Sequence, residues 1–170
     1  MKKLQTKDFH QSMRGYLAGH LYNQMIKNKD IYLITGDLGY KVFDKIREDF
    51  PERFINVGAA EQTMLDLAVG LSLKGKIPVC YSITPFLLYR GFETLRTYIN
   101  HERIKVILIG SGRDNDYKHD GFSHNARDDH RLFQWLGSIQ PHWPLSKEAI
   151  EGLITQAIAS HDPFYINLRR

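Results

Sequence analysis

The sequence has 170 residues, of which 42% are hydrophobic and 25% charged, and its formal net charge is +4. A chain of this length and composition is typical of one globular domain with a sizeable core, so we expect residues 1–170 to form a single domain. No apolar run reaches the roughly 18 residues that a membrane span needs. The lysines and arginines form neither a block nor a stripe interleaved with aromatics, which argues against nucleic-acid binding.

Two local features indicate the compartment. The amino-terminal segment MKKLQTKDFH is basic, but no apolar segment follows it, so a secretory signal is not expected. The single cysteine, Cys80, lies in an apolar run and has no partner for an internal disulfide. Both features are typical of a protein in the reducing cytoplasm, with Cys80 as a small core residue.

Helical and strand patterns alternate along the chain and predict an α/β fold. In chain order they are a helix capped by Thr6 or Asp8 and running to about Asn28, the strands IYLIT (31–35) and FINV (54–57), a helix at 60–74 stopped by Gly75, the strand IPVCYS (77–82), a helix opened by Pro85 and reaching Asn100, the strand KVILIG (105–110), a short helix at 128–136, a weak strand GSIQ (137–140), a helix capped by Ser146 and ending near Ser160, and the strand PFYINL (163–168).

This alternation, with short connections and nearly continuous apolar strands, predicts an open, mostly parallel sheet with helices on both faces. The two prolines around Trp143 predict a structural turn. The longest irregular stretch, 111–127, follows a strand. Ligands of such sheets bind beyond the carboxyl ends of the strands, so this loop is a candidate functional segment.

The stretch NVGAAEQTMLDLAVGL (56–71) places one carboxylate, Glu61, between a strand and a helix. An acidic residue in the first turn of a helix is favoured by the helix dipole, and that role alone could explain it. However, the small residues Gly58, Ala59 and Ala60 leave the backbone open to the close approach of a ligand or another chain. The residues themselves leave both interpretations open.

Four segments, in the same order along the chain, resemble the pyrimidine-binding domain of transketolase-family thiamine diphosphate enzymes. ERFINVGAAEQTMLDLAVGLSLKGKIPV resembles the family stretch RFINVGIAEQNM…AAGLAL.GKIPV, and LITGDLG, TPFLLYRGFETLR and GSGRDNDYKHDGFSHNARDDHRL resemble three others. Collinear matches over most of the chain are more specific than one short motif. The resemblance implies the thiamine diphosphate-binding fold, here its pyrimidine module.

The resemblance also implies cofactor-binding residues. Glu61 would be catalytic, hydrogen-bonding nitrogen N1′ of the cofactor's aminopyrimidine, because a carboxylic acid in an apolar pocket keeps a proton that it can share. Phe86 would stack on the ring, although aromatics three apart at a helix start, such as Phe86 and Tyr89, are otherwise typical of a core. Tyr89 and Ile83 are further pocket candidates. Asp37 resembles an aspartate near the cofactor across the subunit interface, with turn capping as its alternative role.

Substrate-binding residues follow from the same resemblance. His124 in DGFSHN corresponds to the first histidine of the family motif DGPTHH, which reaches the substrate, and is the second catalytic candidate. Asp120 corresponds to the aspartate of that motif. Arg14 and Arg170 align with two arginines that bind a substrate phosphate. Departures from the motif leave the identity of the sugar open.

The family's metal signature, Gly-Asp-Gly followed by Asn, does not occur in these 170 residues, so the chain offers no metal-ligand candidates. The resemblance therefore implies a split transketolase, in which a diphosphate-binding partner chain holds Mg²⁺ and the diphosphate of thiamine diphosphate, assembled as a heterotetramer. The implied reaction transfers a two-carbon ketol unit between sugars or sugar phosphates. Two alternatives stay open: a deoxyxylulose phosphate synthase-like subunit that decarboxylates a 2-oxo acid, and a non-catalytic scaffold subunit.

Overall fold

The computed structural model describes residues 2–170 and is organised around a six-stranded sheet in which all neighbouring strands are parallel. The strands are β1 (Ile31–Thr35), β2 (Phe54–Asn56), β3 (Ile77–Ile83), β4 (Ile107–Ser111), β5 (Gln140–His142) and β6 (Phe164–Leu168). Their spatial order is β2-β1-β3-β4-β6-β5. This open parallel sheet confirms the fold class that the sequence predicts.

The helices connect the strands. They are α1 (Met13–Lys27), α2 (Asp44–Asp49), α3 (Glu61–Leu73), α4 (Phe92–Thr94), α5 (Asp129–Trp135) and α6 (Ile150–Ala159). Two π-helical turns, Phe86–Arg90 and Leu95–His101, flank α4, and short 3₁₀ turns occur at Thr6–Asp8, Pro51–Arg53, Lys118–Asp120, Phe122–His124 and Lys147–Ala149. Within residues 2–170, no helix has the length and apolar character needed to cross a bilayer.

Apolar side chains cover both faces of the sheet and form two core clusters. One cluster joins α1 and α6 to the sheet through residues such as Leu17 and Ile154. The other joins α3 and the segment after β3 through residues such as Met64 and Leu88. Cys80 is fully buried in the second cluster, where burial raises the pKa of its thiol, so its predicted place in the core is confirmed.

The first helix begins later than the sequence predicts. Its cap is Ser12, whose hydroxyl accepts a hydrogen bond from the Gly15 amide at 3.1 Å. The two predicted caps lie in a separate 3₁₀ turn, where the Asp8 carboxylate accepts from the Gln5 amide at 3.0 Å. The prediction was wrong because several Ser, Thr and Asp side chains precede this helix, and only backbone geometry decides which of them reaches the free amides.

The structure corrects two further expectations. Strand β5 begins at Gln140, after most of the predicted GSIQ segment, and includes Pro141, for which a turn was predicted. A proline is tolerated there because β5 is an edge strand, whose outer side needs no donor. Helix α2 was not predicted. Its cap, Phe43, makes no side-chain cap hydrogen bond, so the usual sequence signal for a helix start is missing.

The fold brings four strand ends to one edge of the sheet. In the register, Thr35 at the end of β1 lies between Asn56 of β2 and Tyr81 of β3. The last residue of β3, Ile83, lies beside Ser111 of β4. The segments that follow these strands therefore lie next to one another, at the edge where parallel sheets bind ligands.

The capping assignment gives a first prediction. Replacing Ser12 with Ala removes the hydroxyl that satisfies the Gly15 amide, and we expect the free energy of unfolding to fall by about 1 kcal/mol. Urea denaturation measures the change, with Thr6→Ala as the control. An equal or larger effect of Thr6→Ala would favour Thr6 as the helix cap and contradict the assignment of Ser12.

Candidate active site

Glu61 is a buried carboxylate at the first position of α3, and its side chain is only 1% exposed. Its Oε1 accepts a hydrogen bond from the Ser82 hydroxyl at 3.2 Å, and its Oε2 accepts from Arg90 Nη1 at 2.9 Å. The amino terminus of α3 adds a favourable dipole. A carboxylate this deeply buried is costly unless it is paired in this way. The surroundings are more polar than the apolar pocket that the family resemblance predicts.

A glycine that was not among the predicted site residues keeps space open beside this carboxylate. A Cβ placed on Gly36, directly after β1, would lie 3.4 Å from Glu61 Oε1 and 3.3 Å from the Gly58 carbonyl oxygen. Gly58 itself has a φ of +73° and open space where a Cβ would be. Its role is therefore conformational, and Gly36 is the residue that clears room at the carboxylate.

Arg90 links Glu61 to an aromatic wall. Phe86 and Arg90 are the first and last residues of one π-helical turn, and the Arg90 guanidinium carbon lies 3.6 Å from the centroid of the Phe86 ring. The His124 ring approaches Phe86 edge to face, with 4.7 Å between the ring centroids. Through these contacts the structure brings together three residues that the sequence selected, Glu61, Phe86 and His124.

Phe86 and Arg90 border an open cleft of about 370 Å³. Its lining comes from the segment after β3 and from the long loop after β4, and consists of Pro85, Phe86, Tyr89, Arg90, Phe122, Ser123, Asn125 and Asp128. Burial is the main cause that raises the pKa of the Tyr89 hydroxyl, and a hydrogen bond with Asp128 raises this pKa further. Phe122 is 92% exposed at the rim. The cleft is therefore lined by aromatic rings together with the charged side chains of Arg90 and Asp128.

Two other predicted pocket residues lie at the same edge of the sheet. Ile83 ends β3, one residue beyond Ser82, and is half-buried. Asp37 follows β1 with a φ of +59°, and its carboxylate accepts hydrogen bonds from the Tyr40 hydroxyl and from Asn56 Nδ2. Both hydrogen bonds lower the pKa of Asp37, and the bond from Tyr40 has the larger effect. The contacts of Asp37 within the chain are those of a turn cap, and its role across an interface stays a prediction.

Two of the predicted substrate residues, Arg170 and His124, lie at the ring of Tyr117. The guanidinium carbon of Arg170 lies 4.9 Å from the centroid of the Tyr117 ring, and the His124 centroid lies 6.2 Å from it. The Arg170 amide donates to Asp116 Oδ2 at 3.0 Å, which holds the end of the chain at this loop. Asp120 lies in the same loop, exposed, just before Gly121. Arg170 and His124 thus contact the same aromatic ring.

Arg14, the second residue of α1, lies near Tyr81 of β3. Burial raises the pKa of the Tyr81 hydroxyl, and the nearby Arg14 guanidinium opposes that rise. Arg14 Nε is buried and has no hydrogen-bond partner among residues 2–170. A buried donor without a partner is uncommon, and an anionic group would satisfy it.

A second buried carboxylate, Asp129 at the start of α5, was not predicted. Its Oδ2 accepts hydrogen bonds from Trp143 Nε1 at 2.8 Å, the Tyr165 hydroxyl at 2.9 Å and Asn167 Nδ2 at 2.5 Å. Burial is the main cause that raises the pKa of the Tyr165 hydroxyl, and the negative charge of Asp129 raises this pKa further. This cluster fastens the end of the long loop to β6. Only the pair of aspartates at a predicted helix start hinted at it in the sequence.

Comparison with known proteins gives one family and several relatives. The family model described as "Transketolase, pyrimidine binding domain" matches residues 10–170. The chain is 33% identical over 121 residues to one subunit of the apulose-4-phosphate transketolase of Actinobacillus succinogenes, covering 71% of this chain and 39% of that protein. It is also 31% identical over 139 residues to 1-deoxy-D-xylulose-5-phosphate synthase of Corynebacterium glutamicum, covering 80% of this chain and 21% of that enzyme.

Among solved structures, one described as "Split gene transketolase, inactive beta4 tetramer" superimposes with a TM-score of 0.82 at 29% identity. The match covers 94% of this chain and 51% of that one. The transketolase of Leishmania mexicana, at 19% identity and a TM-score of 0.84, shares the fold. The chain thus spans about half or less of the length of the relatives it matches.

The buried cluster around Asp129 gives a second prediction. Asp129→Ala leaves two buried donors and the half-buried Trp143 indole without their acceptor, and we expect the free energy of unfolding to fall by about 3 kcal/mol. Thermal and urea denaturation measure the change. Asp128→Ala, which removes the exposed neighbouring carboxylate, is the matched control and should shift stability by less than about 1 kcal/mol. Equal effects of the two substitutions would contradict the anchoring role.

Proposed function

This chain belongs to the transketolase pyrimidine-binding domain family, and on that premise we propose that it is one subunit of a split, thiamine diphosphate-dependent transketolase-like enzyme. The proposed reaction transfers a two-carbon ketol unit between sugars, at least one of them phosphorylated. One observation carries the proposal: Glu61 is buried and hydrogen-bonded to Arg90, which lies over the Phe86 ring and lines an open cleft.

The residues present fit the pyrimidine half of thiamine diphosphate. Glu61 offers a water-shielded carboxylate to a ring nitrogen, Phe86 offers an aromatic face, and Gly36 keeps the space beside the carboxylate open. When bound, thiamine diphosphate supplies the nucleophilic carbon and the electron sink of the reaction. We propose that a partner chain holds the diphosphate and Mg²⁺, as the resemblance implies, and that the two kinds of chain form a heterotetramer.

Glu61 would hold and exchange a proton with the ring nitrogen. Its burial excludes water from that hydrogen bond, and low local dielectric strengthens the interaction. His124 would act on the substrate side, where the Ser123 hydroxyl lies 3.1 Å from its Nδ1. That contact leaves Nε2 as the nitrogen available to a substrate hydroxyl or carbonyl. Glu61 would therefore exchange a proton with the cofactor ring, and His124 with the substrate.

Arg14 and Arg170 support a phosphorylated substrate. Arg14 Nε is a buried donor without a partner among residues 2–170, and the Arg170 guanidinium lies over Tyr117, which also neighbours His124. Guanidinium groups suit phosphate because they present several donors in one plane. The Actinobacillus relative is also named for a sugar phosphate.

A 2-oxo acid decarboxylating synthase is the second candidate, favoured by the 31% identity to 1-deoxy-D-xylulose-5-phosphate synthase. Both reactions need the same buried glutamate, so the donor distinguishes them. A ketose phosphate would be the donor of the transketolase-like enzyme, whereas pyruvate would be the donor of the synthase.

The partner requirement gives a third prediction. We expect no turnover by this chain alone, and turnover with thiamine diphosphate and Mg²⁺ when it is purified together with a chain carrying the Gly-Asp-Gly…Asn signature. Ketose phosphate and pyruvate are supplied separately with an aldose phosphate acceptor, and the products are identified by mass spectrometry. A product formed from the ketose phosphate supports the transketolase-like reaction. A product formed from pyruvate, with none from the ketose phosphate, supports the synthase. A complex that binds the cofactor but turns over neither donor would point to the scaffold alternative.

The role of Glu61 gives a fourth prediction. In the assembled enzyme, Glu61→Gln keeps the shape of the side chain but replaces one acceptor oxygen with an NH2 donor and cannot exchange a proton as an acid does, so turnover should fall at least about 100-fold. Glu102→Gln, at an exposed glutamate, is the matched control and should keep full turnover. Circular dichroism checks that both variants fold. Undiminished turnover by Glu61→Gln would refute the role.

A further inference from the structure

Arg90 makes two contacts at once inside the proposed cofactor site. Its Nη1 donates to Glu61 Oε2 at 2.9 Å, and its guanidinium carbon lies 3.6 Å from the centroid of the Phe86 ring. The Glu61 side chain is 1% exposed, whereas the Arg90 side chain is 45% exposed. One end of this ion pair is therefore fixed in the protein interior, and the other lies at the mouth of the cleft.

These two contacts are the ones that an aminopyrimidine would need. A guanidinium and an aminopyrimidine are both flat, both stack on aromatic faces, and both carry nitrogens at one edge that pair with a carboxylate. The second carboxylate oxygen of Glu61 already accepts from Ser82, and the ring of His124 approaches Phe86 from its edge. The cation and the ring would therefore compete for the same carboxylate and the same aromatic ring.

We propose that Arg90 is a place-holder for the aminopyrimidine, and this inference rests on the proposed function. In the free chain its guanidinium keeps the buried carboxylate of Glu61 paired and covers the Phe86 ring. When the cofactor's ring arrives, the guanidinium leaves both contacts and the ring takes them over. The buried charge is thus paired before and after binding, and the affinity for the ring is lowered by the cost of displacing Arg90.

The surroundings show which part of the structure would move. Gly91 follows Arg90 and packs tightly against α3, because a Cβ there would lie 2.7 Å from Leu65 Cδ1 and 3.3 Å from the Glu61 carbonyl oxygen. The backbone next to Arg90 is therefore held in place. The half-exposed side chain can leave by rotating about its own bonds into solvent, while the π-helical turn stays where it is.

Thiamine, which has no phosphate groups, tests the proposal on the full chain without a partner. In NMR spectra of the free chain, the Arg90 Nε–H signal should be shifted by the Phe86 ring. Added thiamine should return that signal to the ordinary arginine position while it shifts the Phe86 ring signals. Arg90→Ala should bind thiamine about tenfold more tightly than the unchanged chain, because no ion pair and no stacked cation must be displaced.

Two further variants sharpen the test. Arg96→Ala is the matched control, because Arg96 lies further along the same helical segment and pairs with the exposed Glu93, and its affinity for thiamine should be unchanged. Arg90→Lys keeps a cation for Glu61 but lacks the flat group that stacks on Phe86, so its affinity should lie between those of the unchanged chain and Arg90→Ala. If Arg90→Ala fails to fold, the affinity of Arg90→Lys for thiamine tests the proposal in its place.

The outcomes separate this inference from the proposed function. Thiamine that shifts the Phe86 signals while the Arg90 signal stays in place, or that binds Arg90→Ala and Arg90→Lys no better than the unchanged chain, overturns the place-holder and leaves the proposed cofactor site standing. Thiamine that shifts the Phe86 signals in none of these proteins overturns both.

Discussion

The site depends on a carboxylate that the fold buries at the start of a helix. Glu61 has almost no access to water, so each of its oxygens must have a partner within the chain. Ser82 supplies one from the end of β3, and Arg90 supplies the other from the turn that follows. A fold that only needed a charge to start α3 could have left it in solvent. We propose that the burial serves a ligand that uses the carboxylate.

The parallel sheet explains why residues far apart in the sequence meet at this carboxylate. Gly36 follows β1, Glu61 comes shortly after β2, and Ser82 lies near the end of β3. Parallel pairing places these ends side by side, and the loop after β4 adds His124 across the Phe86 ring. The buried cluster around Asp129 then fixes the far end of that loop to β6. The scaffold thus positions both walls of the cleft.

Much of this could be predicted from the sequence, because the strands are buried on both faces and appear as short apolar runs. Strand β1 has the predicted bounds, and the family resemblance pointed to Glu61, Phe86 and His124. The predicted start of α1 and the predicted bounds of the edge strand β5 were wrong, because helix capping and edge-strand pairing depend on backbone geometry. Arg90 and Asp129 were missed because charged residues in helical segments usually face solvent, and only the tertiary structure shows that they pair with buried groups.

The central claim is that Glu61 binds the aminopyrimidine of thiamine diphosphate at an interface completed by a second chain. A crystal structure of this chain with a diphosphate-binding partner, Mg²⁺ and thiamine diphosphate tests it most directly. We expect a Glu61 carboxylate oxygen within about 2.6–3.2 Å of ring nitrogen N1′ and the ring against Phe86. A cofactor ring bound elsewhere, with the Glu61 carboxylate making no contact to it, would contradict the account.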